Sequence, residues 1–492
     1  MTGLRKSVVH GALWAVALRW LMRLVGVANV AILARILGPS DFGLVAMATL
    51  VVGLVETWLA FGVDSALIQN ADADRHDFDT AWTIRLLQGA VIALLVVAAS
   101  PLAQAYFKEP RLGPLLWVLA LGILISGAAN IGVVMYRKEL RFQTEFWILA
   151  ISKLLSFAVS VAAAFWLRNY WALAIGIVGG YTIGCVVSYV AHPFRPRFSL
   201  SRWRKLWSFS QWVVVMNIIG YAETKADEVL VGGYTSAAQM GLYSVASDVG
   251  QMPSAELSAP LNRVLFPTFS RLQDEPGRLA AAYTNALATV AMVTVPAGIG
   301  LAMVAPEAVR VLLGPKWTAA VPLLAILALW GTLRSLSSSG GYVLMSIGLP
   351  KLVALTTFMT VLVFASGASL ALWWGYGPLG IAIAKVVAAC ASLMITVTFV
   401  VRHTHVHVRT VLRGVIRPVF AACTMAAVLQ WIPGTPFGAL ADLILKIAVG
   451  AAVYITAVLV LWYWAGRPDG PERLAMNILK RLFIRNAGAA AD

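Results

Sequence analysis

Long apolar runs broken by short polar turns dominate this chain, and each run is about 20 residues or longer, enough to cross a bilayer core as an α-helix. Hydropathy and turn residues predict spans at 8–37, 42–66, 80–104, 113–136, 145–167, 170–191, 206–234 and 238–265. Further spans are predicted at 279–304, 318–345, 351–374, 377–401, 410–432 and 438–465. The pattern is that of an all-α polytopic membrane protein with about 14 transmembrane helices. Composition excludes a water-soluble domain: 60% of the 492 residues are hydrophobic and 12% are charged, against roughly 25% charged in soluble proteins.

Charge then sets the orientation. The net charge is +16, but the basic residues gather in loops between spans, so topology accounts for them and nucleic acid is not an expected partner. Arg137, Lys138, Arg141, Arg195, Arg197, Arg202, Arg204, Lys205, Arg402 and Arg409 fall on one side, joined by Arg467, Arg473, Lys480, Arg481 and Arg485 of the tail. The other side holds Lys108, Arg111, Arg168, Arg310 and Lys316. Both termini are therefore expected in the cytoplasm. Arg5-Lys6 precedes an apolar run interrupted by His10 that continues well beyond Ala15-Val16-Ala17, which reads as a retained first helix rather than a removable leader.

The chain also repeats itself. Gly38-Pro39-Ser40-Asp41-Phe42-Gly43-Leu44 stands between spans one and two, and Ser236-Ala237-Ala238-Gln239-Met240-Gly241-Leu242 between spans seven and eight. The stretch from Pro101 through Leu115-Leu116-Trp117-Val118-Leu119-Ala120 matches Pro306 through Leu323-Leu324-Ala325-Ile326-Leu327-Ala328, and Tyr170-Trp171-Ala172-Leu173 matches Tyr376-Gly377-Pro378-Leu379. Six spans separate the copies, which gives them one membrane orientation and suggests two parallel six-helix lobes around a central cavity. The expected division is an N-lobe over 1–195, a C-lobe over 196–408, two additional helices over 409–466 and a basic cytoplasmic tail over 467–492. The loop 192–205 is the expected inter-lobe linker.

These motifs carry a family resemblance. Leu37-Gly38-Pro39-Ser40-Asp41-Phe42-Gly43, then Phe61-Gly62-Val63-Asp64-Ser65-Ala66-Leu67-Ile68-Gln69, then Phe266-Pro267-Thr268-Phe269-Ser270-Arg271-Leu272-Gln273, in this order and spacing, resemble the Wzx-type polysaccharide flippases. The resemblance covers nearly the whole chain. It implies the fold shared by multidrug exporters and the lipid II flippase. It also implies movement of undecaprenyl-diphosphate-linked oligosaccharide between leaflets of a bacterial inner membrane, for exopolysaccharide or lipopolysaccharide assembly. The implied partners are that lipid-linked substrate, membrane lipids and polysaccharide polymerase machinery; no cofactor is implied.

Charges inside spans cost about 2.5–3.5 kcal/mol each on insertion scales, so each needs a reason. Arg19 and Arg23 are four apart and share a face of span one. Arg23 lies roughly 22 Å into a span starting near residue 8. In the implied fold this span lines the cavity, where planar guanidinium forks suit diphosphate oxygens; a structural ion pair is the competing account. Lys153, Lys225, Arg334 and Lys385 are the other deep cations. Lys225 sits among Glu223, Asp227 and Glu228, so an internal salt bridge competes there, while Lys153 and Lys385 compete with snorkelling at a lipid edge. Arg85, Arg263 and Arg417 lie near span ends and read as interfacial anchors. Asp227, Glu56 and Asp248 are the candidate ion-coupling acids, with Glu256 a further acid in span eight, because a carboxylate in a low-dielectric site exchanges a proton or binds sodium. Asp442 and Lys446 are spaced for an i,i+4 salt bridge.

Other chemistry is thin. Cys185, Cys390 and Cys423 sit in apolar runs without CxxC spacing. His403, His405 and His407 alternate in a loop where no Cys or acid completes a metal site. Two alternatives accompany the flippase reading. A multidrug exporter of the same fold would favour an acid-lined cavity for cationic drugs. A membrane polymerase, ligase or glycosyltransferase would need a sizeable outer loop, and every expected outer loop is short. No GxxxxGK[ST] motif supports direct ATP drive.

Overall fold

A computed structural model of the chain describes residues 2–473 and 476, apart from 60, 61, 71, 435 and 469. Lys480, Arg481 and Arg485 of the expected basic tail lie outside the described residues. All regular elements among the described residues are helical. The first nine are α1 (Thr2–Ile36), α2 (Pro39–Trp58), α3 (Val63–Gln69), α4 (Arg75–Phe107), α5 (Leu112–Gly127), α6 (Val134–Lys138), α7 (Phe142–Leu167), α8 (Trp171–Ala191) and α9 (Trp203–Tyr234). They are followed by α10 (Ala237–Arg271), α11 (Pro276–Met303), α12 (Ala305–Leu312), α13 (Val321–Ser346), α14 (Pro350–Trp373), α15 (Gly377–His403), α16 (Val408–Gln430) and α17 (Ala439–Trp464).

Among the described residues, eleven helices are long and apolar enough to cross a membrane, or twelve if the bent pair Leu112–Gly127 and Ile131–Lys138 forms one span. The two other expected spans coincide with α9 and α10, which have 32 and 35 residues. Their length suffices for a crossing; their polarity sets them apart. Helix α9 packs Glu223, Lys225, Asp227 and Glu228 into two turns, and α10 carries Asp248, Glu256, Arg263 and three prolines.

Local chemistry explains the breaks. The Gly-Pro-Ser-Asp turn is a helix start: Pro39 takes the first helical position, where its missing N–H costs nothing, and Gly38 N–H donates to Asp41 Oδ2 at 3.0 Å. The expected span 42–66 is interrupted: α2 ends at Trp58, and α3 starts after Gly62, whose φ of 62° is a left-handed conformation that favours glycine. The expected span 113–136 bends by 59° at its break, where Asn130 Oδ1 accepts from Gly132 N–H at 2.9 Å and takes the chain out of the α-helix.

The chain condenses into two compact units, Met1–Leu242 and Tyr243–Asp492. In the first, α4 packs on α5, α7 on α8 and on α1, α5 on α8, and α9 on α2. With lipid as solvent, close packing of small residues replaces hydrophobic drive. The α7–α8 contact shows it: a Cβ on Gly176 would meet Ser160 Oγ at 2.5 Å, and one on Gly180 would meet Ser156 Oγ at 3.2 Å. In the second unit a core forms around Phe269, Tyr283, Leu287, Val343, Val400, Met425 and Tyr454. Hydroxyls join its helices: Thr332 Oγ1 donates to Thr294 O at 3.2 Å and lies 3.2 Å from Ser254 Oγ.

The segment expected as a linker lies inside the first unit and is tied to it. Residues 192–200 run without helix along α4. Arg197 N–H donates to Asp79 Oδ1 at 2.8 Å and Ser199 N–H to Thr83 Oγ1 at 3.0 Å. The amide of Asn130 donates to both His192 O and Phe194 O, at 3.1 and 2.8 Å. Asn130, Asp79 and Thr83 are all buried, so each bond replaces one that water cannot supply. Phe194 N–H donates to His192 Nδ1 at 3.1 Å, and burial pushes the imidazole below its ordinary range. Protonation at Nδ1 would remove this acceptor. Its contribution is therefore complete above the ordinary imidazole value and is lost as pH falls through and below it. Asn130→Ala is expected to accelerate amide hydrogen exchange at Arg197 and Ser199 about tenfold while the mid-helix amides of α4 keep their protection, a loss of roughly 1–2 kcal/mol of local stability. Unchanged exchange would show that the strap is held by other contacts.

Candidate functional site

The site residues are described unit by unit. In the first, Arg19 and Arg23 are half-buried on one face of α1, and Arg23 falls near the middle of the apolar stretch Leu13–Ile36. Helices α2 and α9 enclose a cavity of about 350 Å³ lined by Glu56, Thr57, Asn217, Tyr221 and Thr224. Tyr221 fixes the wall by donating its hydroxyl to Leu50 O at 2.7 Å. Glu56 is half-buried there, in an oxygen-rich surround of two threonine hydroxyls, a phenol and an amide. One turn further along α9, Lys225 Nζ pairs with Glu228 Oε1, while Asp227 is 1% exposed.

A second cavity, of about 410 Å³, opens between α1, α7 and α8. Lys153 lines it, with Asn29, Ser152, Ser156 and Tyr181 among its neighbours. The lysine and the glutamate therefore belong to different cavities of one unit, and neither cavity counts Arg19 or Arg23 among its lining residues.

In the second unit Lys385 does not snorkel to a lipid edge. It is 5% exposed, and its Nζ lies 4.0 Å from the centroid of the Trp330 ring. The Arg334 guanidinium stands 5.3 Å from the same ring. The structure thus brings these two sequence-derived cations together on one indole, whose electron-rich face offsets part of the cost of burying Lys385, while Arg334 is exposed. Trp330 was not legible as a site residue from its type, although its i,i+4 spacing to Arg334 put both on one face of α13. Asp248 is exposed and Glu256 half-buried on α10. Lys446, expected to pair with Asp442, donates to Glu307 Oε1 at 2.7 Å. Arg417, expected as an interfacial anchor, pairs with the buried Glu472 at 2.7 Å. Of the alternating histidines, His403 ends α15, where its ring bonds Phe399 O at 2.9 Å, and His405 and His407 lie in the turn before α16. Among the described residues no group of three His, Cys, Asp or Glu is arranged to hold a metal.

Comparison with known proteins places this geometry in context. A family model described as polysaccharide biosynthesis protein matches residues 32–322, more than half of the chain. The chain belongs to that polysaccharide biosynthesis family. Among curated relatives, it is 25% identical over 352 residues to the lipopolysaccharide biosynthesis protein WzxC of Escherichia coli K12, covering 70% of each chain. It is 26% identical over 304 residues to the succinoglycan biosynthesis transport protein ExoT of Rhizobium meliloti, covering 61% of each. Among solved structures, the lipid II flippase MurJ in an inward closed conformation superposes with a TM-score of 0.72, at 14% identity, over 93% of this chain and 100% of that one. This polysaccharide biosynthesis family member therefore has a MurJ-like fold, as its sequence resemblance implied. The family match spans most of the first unit and part of the second, so Glu56, Lys153, Lys225, Asp227 and Asp248 lie inside it, while Arg19, Arg23, Arg334 and Lys385 lie outside its limits.

Proposed function

We propose that the protein is a flippase for undecaprenyl-diphosphate-linked oligosaccharide repeat units. In this reading it carries them from the cytoplasmic to the periplasmic leaflet of a bacterial inner membrane, for exopolysaccharide or lipopolysaccharide assembly, by ion-coupled alternating access. The observation that carries the reading is the set of cations placed deep within apolar helices of a polysaccharide biosynthesis family member: Arg19, Arg23 and Lys153 in one unit, Arg334 and Lys385 in the other. Cations at such depth are expensive, and an anionic head group is the reason proposed for keeping them. The relatives' names agree with the direction of the inference, since ExoT is a transport protein and MurJ a lipid II flippase.

In the working mechanism Arg19 and Arg23 take the diphosphate while the polyprenyl tail stays in the bilayer. The repeat halves, 1–195 and 196–408, move as lobes about the head group, with fourteen spans placing both termini in the cytoplasm. An inside-negative potential assists outward passage of an anionic head by about 2.3 kcal/mol per charge at 100 mV. A cationic-drug exporter is the competing reading: the Lys153 cavity, without an acidic side chain, does not favour it, whereas the neighbouring cavity carries one acid, Glu56. Transport rather than catalysis is the proposed activity, and the polymerase machinery is the proposed downstream partner.

Coupling is assigned first to Glu56, whose cavity offers carboxylate, hydroxyl and amide oxygens for a proton or Na+; Asp227 and Asp248 are the further acids of this proposal. Glu56→Gln is expected to abolish stimulation of transport by a proton or sodium gradient at unchanged protein level. Gradient stimulation equal to wild type would remove Glu56 from the coupling step. The parent reading is tested in proteoliposomes containing fluorescent undecaprenyl-diphosphate oligosaccharide, with an impermeant quencher reporting leaflet exchange. Protein-containing vesicles should lose the protected fraction, and vesicles indistinguishable from protein-free ones would contradict it.

A further inference from the structure

The cavity between α1, α7 and α8 is chemically unlike a phosphate site. Its residues on α1, Met22, Val25 and Asn29, are turned roughly 100° from the face carrying Arg19 and Arg23, taking 3.6 residues per turn. Its one charge is Lys153, which has no acidic partner among the described residues. The protons of two of its three serines are already spent: Ser152 Oγ donates to Ile148 O at 2.8 Å and Ser156 Oγ to Ser152 O at 2.6 Å. What these serines still offer is lone pairs. The Oδ1 of Asn29 is buried there and has no hydrogen-bond partner, so it is a further waiting acceptor.

A phosphate wants several donors converging on it. This cavity instead presents a single cation and waiting acceptors on Asn29, Ser152 and Ser156, beside the Ser160 and Tyr181 hydroxyls and the Phe157 and Tyr181 rings. That set complements a sugar ring whose hydroxyls donate and whose single carboxylate meets the ammonium. The volume of about 410 Å³ lies within the range of small-ligand pockets.

We propose that this cavity is a sugar subsite selective for an acidic monosaccharide residue, with Lys153 taking the carboxylate and Asn29, Ser152 and Ser156 taking ring hydroxyls. The inference rests on the flippase reading and adds the substrate class: repeat units bearing a uronic acid or an equivalent carboxylated sugar. It separates two tasks, the diphosphate on the arginine face of α1 and the sugar on the neighbouring face.

The test is calorimetric titration of the full chain in lipid nanodiscs with cellobiuronic acid and with cellobiose, which differ by one carboxylate in place of a hydroxymethyl group. Wild type should bind the acid about tenfold or more tightly than the neutral sugar. Lys153→Gln should abolish that preference and Lys153→Arg should retain most of it. Asn29→Leu should weaken both sugars together. Equal affinities in wild type, or a preference that survives Lys153→Gln, would overturn the proposal. So would displacement of the acid by inorganic phosphate at comparable concentration, which would make the cavity a phosphate site. The free disaccharides carry neither lipid nor diphosphate, so this result is independent of translocation. An acid preference in a protein that moves no lipid-linked sugar would uphold the subsite and remove the flippase reading; transport without acid preference would do the reverse.

Discussion

Arg23→Gln is expected to lower the rate of lipid-linked oligosaccharide transport by about a hundredfold at normal protein level, because in the proposed mechanism it removes a bidentate guanidinium from the diphosphate. Two charge-assisted hydrogen bonds at about 1.5–3 kcal/mol each are lost, and partial rehydration returns some of that, leaving roughly 2–3 kcal/mol. Arg23→Lys keeps the charge without the fork and should retain about a tenth of the rate. Arg19→Gln should show a similar but smaller loss, since Arg19 lies one turn nearer the start of the apolar stretch. The double variant should fall short of the product of the two single effects, because both side chains act on one head group. The readout is leaflet exchange in proteoliposomes matched for protein content. Full transport by both Arg23→Ala and Arg23→Gln would exclude the arginine from substrate binding.

The second large effect concerns folding rather than transport. Within the first unit the start of α2 crosses the start of α10 at Gly43 and Gly241. A Cβ on Gly43 would lie 1.6 Å from Ala237 O, and one on Gly241 would lie 1.9 Å from Pro39 O. The obstructions are reciprocal, each glycine facing the backbone four residues before the other. They are backbone atoms, which cannot turn aside as a side-chain end does. Alanine in a helix is otherwise preferred over glycine by about 1 kcal/mol, so propensity alone would make Gly43→Ala stabilising. The steric term wins: forcing the helices apart should cost about 3 kcal/mol or more, for a net loss of roughly 2 kcal/mol. Gly43→Ala and Gly241→Ala should each lower the thermal unfolding midpoint in detergent, and Gly341→Ala, with open space around its Cβ position, should not. Stability at the wild-type level in both crossing variants would mean that the helices separate freely at this point.

These two predictions mark what the sequence made legible. The repeated Gly-Pro-Ser-Asp-Phe-Gly and Ala-Ala-Gln-Met-Gly turns were visible as a repeat, but their reason, two glycines in reciprocal contact, needed three dimensions. Apolar runs located the helices well because hydrocarbon selects for length and composition. The same runs concealed the break after Trp58 and the 59° bend after Gly127, since apolar content continues through both. Deep cations were legible because each carries a cost. Their partners were not: Lys446 meets Glu307 across 139 positions, and Arg417 meets Glu472 across 55. Such pairings depend on which helix faces meet, which hydropathy does not encode. Asn29 and Trp330 escaped for the related reason that a neutral side chain in an apolar run reads as packing until a cavity or a cation is seen beside it.

The proposed function requires that lipid-linked sugar cross the bilayer through this protein. It is tested most directly by the leaflet location of lipid-linked oligosaccharide in cells depleted of the chain, read in sealed right-side-out and inverted vesicles with an impermeant glycosidase. Accumulation on the cytoplasmic face, reversed by wild type and not by Arg23→Ala, is the expected result. Accumulation of unpolymerised repeat units on the periplasmic face would contradict it, because translocation would then proceed without the protein.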